Sequence, residues 1–540
     1  MARGATLPRV VSAKLRVSSL DLIACPDGTS RPRQPQFPEP VIHMSRLLPA
    51  VSSLAALAWS PALAQVSAVD LWAEWQATSA AIGQEMTAQV TQTADGLTLE
   101  NFTTRSEVEG STTLGQLERV TMTELADGTV SVEISDPYVT SITFPEEEGG
   151  AMMTIEILMS HEGLDISVAG TPEARSYTYL ADVITISEGT ISNDQGDPPP
   201  TIDMEIVARD LAATYLVSGA DVSDQRFEST GTTGSVAARF DVQPPPDEDG
   251  RMKASFALGE MTSDASGSIV ALATMQQSTT GLPEGFEITG TTSYDWSRFE
   301  FSFEDSSDAF NLFYANEGGD FGVALSNAEL RYDIAAEGIV TRVAGSEIPV
   351  PVEASAASSE LSLTVPLAAS ATPSDAAIRL SYRNLAVSEE VWALMDPSGS
   401  VPRNPLTVIL DATAQLQLMV DLLGADAMEM ETPPGELRAL TVSELELSFG
   451  DTSLTGSSDM TFAPGQVVPQ PVGQADLSLV GGNALLDQLQ GAGVIGPEEA
   501  GMARGVAGMF SRPGAMPDTL ETTIVFGPDG TITANGVPLQ

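Results

Sequence analysis

The chain has 540 residues but only one cysteine, two histidines and 24 basic residues, against 74 acidic ones. Each shortage excludes something. A single thiol permits no disulfide within the chain, and two imidazoles leave little for zinc coordination or a histidine-centred catalytic triad. The formal net charge of −50 repels phosphate backbones, which excludes nucleic-acid binding driven by counterion release. No apolar run after residue 64 reaches the length of about 20 residues needed to span a bilayer. Wholesale disorder is excluded from the other side, because 42% of the residues are apolar, an ordinary globular proportion. The length suits two to four domains or one elongated β architecture.

Met44 and Arg46 precede an apolar run from Leu47 to Trp59 and the triplet Ala62-Leu63-Ala64. A basic start, a short apolar core and a small-residue cleavage site make a secretory signal rather than a membrane span. Residues 44–64 are therefore expected to be a signal peptide cleaved after Ala64, with a periplasmic destination. Residues 1–43 carry Arg3, Arg9, Lys14, Arg16, Arg31 and Arg33 and a proline-rich stretch from Pro26 to Pro40. They read as an upstream start-site artefact or a disordered leader. Residues 65–540 then hold 17 basic and 71 acidic groups, no cysteine and one histidine, His161. A core of this size needs no disulfide staples. The acidity reads as a solvated surface in preference to one that recruits divalent cations or a basic partner.

From residue 84 onward most of the chain alternates with period two between Gly, Asp and Pro punctuation, the pattern of half-buried antiparallel strands. One hairpin is nearly explicit: Val120 to Leu125 runs into Asp127-Gly128, whose residues favour a tight turn, and Val130 to Ile134 returns. Further strands are expected at 138–144, 152–159, 164–168, 177–186, 202–207, 299–303, 330–334, 361–365, 378–382, 408–418, 445–449 and 477–480. Nothing alternates βαβ, so a parallel doubly wound sheet is disfavoured. No fixed-period repeat suggests a propeller or solenoid.

Helices are few. Ser67 and Asp70 resemble a capping box ahead of the stripe Leu71, Trp72, Trp75, Ser79 and Ile82, closed by Gly83. Ser388 with Glu389 and Glu390 opens a second helix that ends at Asp396-Pro397. Asn483 is expected to cap a third, and Pro497 at the first helical position starts a fourth running to Phe510. Breaks at 194–200, 244–250 and 397–405 read as loops at the rim of one sheet or, for the last two, as subdivisions of the 65–540 region. The fold class is mainly β: one long curved antiparallel sheet, a meander shaped as a groove or half-barrel, with short helices at the N-terminus, near 388–396 and near 483–510.

Candidate chemistry is sparse. Gly491-Ala492-Gly493-Val494-Ile495-Gly496 has the letters of a dinucleotide fingerprint, but a helix and not a strand precedes it, so the glycines more plausibly end one helix and begin the next. Gly501 and Gly505 permit close helix packing. His161, expected at a turn, cannot build a metal site alone, and Met152, Met153 and Met159 nearby read as core filling and not copper ligands. The cluster Asp247-Glu248-Asp249-Gly250 lacks the first and last ligands of a calcium loop, where Pro245 and Phe256 stand. Neither a G-x-S-x-G nor an S-x-x-K motif is present, and Lys253 is the one lysine after residue 64.

Several words are similar to those of domain of unknown function 2125, a family of exported alphaproteobacterial proteins. They are Asp70-Leu71-Trp72 with Trp75 and Gly83, Trp392 with Asp396-Pro397 and Pro402-Arg403-Asn404-Pro405, and Gly482 to Leu489. Met509 to Pro513, Asp518 to Ile524 and the terminal Asn535-Gly536 complete the set. The resemblance implies no catalytic residue. The long meander and closing Asn-Gly hairpin are more loosely similar to AsmA-like envelope proteins, whose curved sheets form apolar grooves implicated in lipid movement.

The expectation is a periplasmic envelope protein with no catalytic, cofactor-binding or metal-ligating residues, holding a lipid or another apolar ligand in a sheet groove. Two alternatives stay open: a structural or partner-binding envelope protein with a filled core, and an exported hydrolase using paired carboxylates. The charge imbalance makes a prediction of its own. Self-repulsion weakens as salt shortens the Debye length to about 8 Å near 0.15 M, so the melting temperature is expected to rise between about 10 and 500 mM NaCl. A flat response contradicts the solvated acidic surface.

Overall fold

A computed structural model describes residues 65–539 except 109, 146–150, 196–197, 220, 247–248, 270–280, 425–426, 428–429, 431–432 and 467. The expected leader and signal peptide lie outside the described residues. Helix α1 (Ala68–Ala81) is followed by the meander β1 (Glu85–Thr93), β2 (Gly96–Val108) and β3 (Ser111–Glu124). β3 is long enough to pair with two shorter strands at once. Its end takes β4 (Val130–Ile134) through the Asp127-Gly128 turn, and its start takes β5 (Tyr138–Pro145). β6 (Met152–Glu162) and β7 (Asp165–Thr171) continue these two tracks, and β8 (Ala174–Asn193) spans both again. β9 (Thr201–Ser218) and β10 (Arg226–Gln243) run full length.

The tracks divide a second time. β11 (Arg251–Leu258), β14 (Ser297–Glu304) and β15 (Ala309–Asn316) form one. β12 (Met261–Ser268), β13 (Glu287–Tyr294) and β16 (Gly319–Ser326) form the other, and β17 (Glu329–Gly345) rejoins them. A plain meander follows through β18 (Val352–Pro366), β19 (Ser374–Val387), helix α2 (Glu389–Met395), β20 (Leu406–Leu418), β21 (Gly435–Phe449), β22 (Thr452–Phe462) and β23 (Pro471–Val480). Helices α3 (Gly482–Gly491) and α4 (Pro497–Phe510) precede β24 (Arg512–Pro513), β25 (Thr519–Phe526), β26 (Ile532–Ala534) and β27 (Val537–Pro538). Among the described residues all 27 strands belong to one antiparallel sheet. The strands that flank the three proline-rich breaks, β8 and β9, β10 and β11, and β19 and β20, pair directly with one another.

A crease crosses the long strands. Asn101 in β2, Asp210 in β9, Gly338 in β17 and Asn384 in β19 have φ of 51°, 54°, 59° and 53°, the left-handed region that Asn, Asp and Gly tolerate best. A Cβ at Gly338 would lie 2.6 Å from the Glu317 side chain, which would have to move to admit another residue. Apolar positions are spaced by two on either side of the crease but by three across it: Leu99 and Phe102, Ala208 and Leu211, Ala336 and Ile339, Tyr382 and Leu385. Where the tracks divide, the two-residue links Gly163-Leu164, Gly259-Glu260, Asp295-Trp296 and Glu317-Gly318, each joining two collinear strands, lie on the same line. The crease leaves the sheet at Thr407, whose hydroxyl accepts the Asn384 N–H at 3.2 Å.

Helix α1 is docked on the apolar side of β2, β3, β4, β7, β8 and β9. Leu71 and Trp72 are buried against Leu99, Phe102, Val120, Met122, Val130 and Val168, with the Trp72 and Phe102 rings 6.1 Å apart. Ser67 caps the helix by accepting the Asp70 N–H at 3.2 Å. Polar contacts fix its approach: the Ala68 N–H donates to Glu124 Oε1 at 2.9 Å, the Val66 N–H to the Gly170 carbonyl at 3.0 Å, and Arg175 Nη2 pairs with Glu74 Oε1 at 2.6 Å.

The third helix differs from expectation at its start. Gly481, at φ 71°, stands at the N-cap in place of Asn483, and Asp518 from the far side of α4 accepts the N–H groups of Asn483 and Ala484 at 3.2 and 3.0 Å. A non-local carboxylate does what a local cap would have done. Because Leu71 is fully buried, Leu71→Ala is expected to cost about 3 kcal/mol. Val69→Ala, on the exposed side of the same helix, should cost less than about 0.5 kcal/mol. Urea unfolding of the two variants checks this, and equal losses would contradict the docking.

Candidate functional site

Antiparallel partners share a face, so the strand register states which side chains line each side of the sheet. On the track nearest α1, one line runs Leu97, Met122, Val132, Ile166, Tyr179, Ala213, Gly231, Ser263 and Thr292. It continues through Phe321, Ile334, Leu361, Leu380, Leu410 and Leu445. Across the crease a second wall aligns Met204, Phe240, Ala254, Phe301, Leu312, Val343 and Val352, with Ile206, Ala238, Phe256, Phe299 and Tyr314 beside it. Polar residues occur on these lines only as small or hydroxylated side chains.

Both walls face the same space. The Asn316 amide nitrogen donates to Tyr294 on the first wall at 3.0 Å and to Tyr314 on the second at 3.1 Å, while its oxygen accepts the Ser297 N–H at 3.1 Å. Ser297, Asn316, Ala336 and Ala356, all beside the crease, are buried although they are small. The sheet therefore folds toward its apolar side and forms a trough whose floor is the crease.

The other side carries the charge. Arg239 pairs with Asp203 at 2.9 Å and Glu205 at 3.2 Å, Arg342 with Glu353 at 2.5 Å, and Arg379 with Glu360 at 3.0 Å and Asp411 at 2.6 Å. Arg298 and Arg342 each lie 5.1 Å from the Phe313 ring centre. Such exposed pairs add little stability individually, but they mark this face as the wet one. Ile409 is an exception, fully buried on this side between Ser381 and Glu446 in register.

The trough is filled at one end and open further along. Beyond α1, Tyr177, Tyr179, Tyr215 and Phe227 form an aromatic row with ring centres 5.5 to 6.3 Å apart. Burial pushes the Tyr177 and Tyr179 hydroxyls above the ordinary tyrosine value and the Tyr215 hydroxyl up to about 12, so all three stay neutral. Burial likewise raises the Glu74 carboxyl in spite of Arg175 beside it. Past this point the lining emerges: Phe321 is 39% exposed, Ile334 41%, Tyr382 42% and Leu447 45%. On the wet side, a hollow of 270 Å³ over β8, β9 and β10 is lined chiefly by threonine and alanine and holds no titratable group.

Where the second wall ends, Trp392, Asp396 and Arg403 form a knot. Asp396 accepts the Val401 N–H at 2.7 Å, the Ser398 hydroxyl at 2.7 Å and Arg403 Nη1 at 2.8 Å. Arg403 stacks 5.0 Å from the Trp392 ring centre and pairs with Glu389 at 3.1 Å. These bonds hold the Asp396 carboxyl well below the usual range and raise the Arg403 guanidinium. Both Asp396 oxygens and the Arg403 guanidinium are engaged between α2 and the following loop.

His161 is not at a turn. It lies in β6, opposite Ile184, with a buried and unpartnered Nε2, because β6 continues three residues further than the apolar pattern indicates. Met153 and Met159 share its face and Met152 takes the other, and all three are half-buried. Gly491 ends α3, Gly493 turns at φ 75° and Gly496 caps α4, so the glycines end one helix and begin the next. Gly501 and Gly505 do not mediate packing, since a Cβ on either meets nothing within 4 Å. Asp247 and Glu248 lie outside the described residues, Asp249 accepts the Ser306 N–H at 2.7 Å, and Lys253 lies 3.9 Å from Asp241. Among the described residues no three His, Cys, Asp or Glu side chains group as metal ligands, and no helix is long and apolar enough to cross a membrane.

Residues 288–540 match the model of a family described as an uncharacterized protein conserved in bacteria, DUF2125. The match begins within β13 and takes in the Trp392–Asp396–Arg403 knot and the closing hairpin; the α1 words fall before it. No curated protein and no solved structure matches the chain.

The knot yields a pH prediction. A carboxyl with a depressed folded pKa stabilises the fold above its unfolded value and ceases to as pH falls through the folded one. Asp396→Asn should therefore lower the melting temperature by a constant amount above about pH 5, and the gap should narrow below about pH 4. Thermal melts of both proteins from pH 3 to pH 8 check this, and a gap that widens in acid would contradict it.

Proposed function

We infer that the protein is an exported, periplasmic envelope component that holds acyl chains, or another elongated apolar ligand, in the open part of its trough and performs no chemistry on them. The observation that carries this reading is the exposure of Phe321, Ile334, Tyr382 and Leu447 on the same apolar side that α1 covers elsewhere. Large apolar side chains in one continuous patch mark an interaction surface. Their setting inside a crease, with the charged groups on the opposite face, suits a narrow chain better than a folded partner.

Dimensions agree. From β13 to β20 the first wall crosses six strands, roughly 24 Å at the usual strand spacing. One acyl chain spans about half of a 30 Å bilayer core, so the open stretch accommodates a whole chain. Delivery to the periplasm rests on the signal-like residues 44–64. The net charge of −50 opposes adsorption on anionic lipid, which favours a lipid held between walls.

Native mass spectrometry of protein purified from the periplasm without detergent tests the reading. The wild type should retain lipid, and Ile334→Glu should lose most of it while keeping its melting temperature within a few degrees. A clean unliganded mass for the wild type contradicts the proposal.

A further inference from the structure

Helix α4 leaves one side uncovered. Ala500 is buried, with Arg504 and Ala507 following it toward the protein. On the far side Met502, Val506 and Met509 recur at i, i+4 and i+7 and are 68%, 53% and 63% exposed. No charged residue interrupts that stripe, and the glycines beside it face open space. A contiguous apolar helix face marks an interaction surface.

Charge and area decide what fits it. The chain carries −50, and Arg504 on the inner side of α4 is paired with Asp487 at 2.5 Å. Arg504 and Arg512, at and just after α4, are the only basic residues beyond Arg438. The exposed stripe itself carries no charged side chain. A second copy would bring the same −50 against the first, and one side of a 14-residue helix offers far less than the roughly 1,200 Å² that specific dimers bury. A phospholipid surface without net charge imposes neither cost. Flexible thioether side chains also suit a disordered acyl boundary that has no fixed shape.

We propose that α4 docks the protein on zwitterionic phospholipid, with Met502, Val506 and Met509 entering the headgroup boundary. The docking goes beyond the trough reading and stands whether or not the trough holds lipid. Anionic membranes are disfavoured by the charge of the rest of the chain.

Flotation of the purified protein with phosphatidylcholine vesicles tests the docking. Wild type should float, and the combined variant Met502→Ser, Val506→Ser, Met509→Ser should float about fivefold less with an unchanged melting temperature, since all three side chains are exposed. The trough variant Ile334→Glu should float like wild type, which keeps failure of the docking distinct from failure of the trough. The proposal is overturned if wild type stays at the bottom, if the triple variant floats equally, or if Ile334→Glu abolishes flotation. It is also overturned if wild type is a dimer that the triple variant splits, because the stripe is then covered by a second copy.

Discussion

Apolar side chains paired across neighbouring strands must share one face of a sheet, and that face has to be kept from water by something. In this protein the register carries such a face from β2 to β25 with few interruptions. Among the described residues one 14-residue helix covers the first part of it. The crease covers part of the remainder by turning the two walls toward each other, which buries the small residues on its floor and leaves the larger ones above them half exposed. An apolar surface with room in front of it is the result, and the ligand reading follows from that surplus.

The crease depends on a local exception repeated in register. A left-handed residue changes which face the next side chain takes, so a strand containing one can present apolar residues to the same side before and after a sharp bend. Asn101, Asp210, Gly338 and Asn384 do this in continuous strands, and two-residue links between collinear strands do it where the tracks divide. Without that row, the apolar residues of the two halves would fall on opposite faces of the sheet.

Much of this was legible in the sequence. Period-two alternation located strands because each has one wet and one dry side, and the Asp127-Gly128 turn, α1, α2 and α4 were marked by residues whose local chemistry decides their conformation. The strands proved longer than their apolar segments, as in β8 and β9, since their ends pair through backbone and not through side-chain pattern. The strand expected at 202–207 stops just short of the spacing of three between Ala208 and Leu211, which lies at the crease. Asn483 looked like a cap because a local rule says so, whereas Asp518, 35 residues away, supplies the acceptor. The open lining at Phe321, Ile334 and Tyr382 could not be found by pattern, because alternation reports which side is apolar and is silent on whether anything covers it.

Residues 65–540 contain no cysteine, which makes single-site labelling direct. A nitroxide on Ile334→Cys, inside the trough, and one on Ser362→Cys, on the wet face of the next strand, report the two sides of the sheet independently. The account predicts that a long-chain fatty acid immobilises the label at residue 334 and hides it from a water-soluble relaxation agent while leaving the label at 362 unchanged. Equal responses at both sites, or a label at 334 already as shielded as one at Val120, would contradict an open trough.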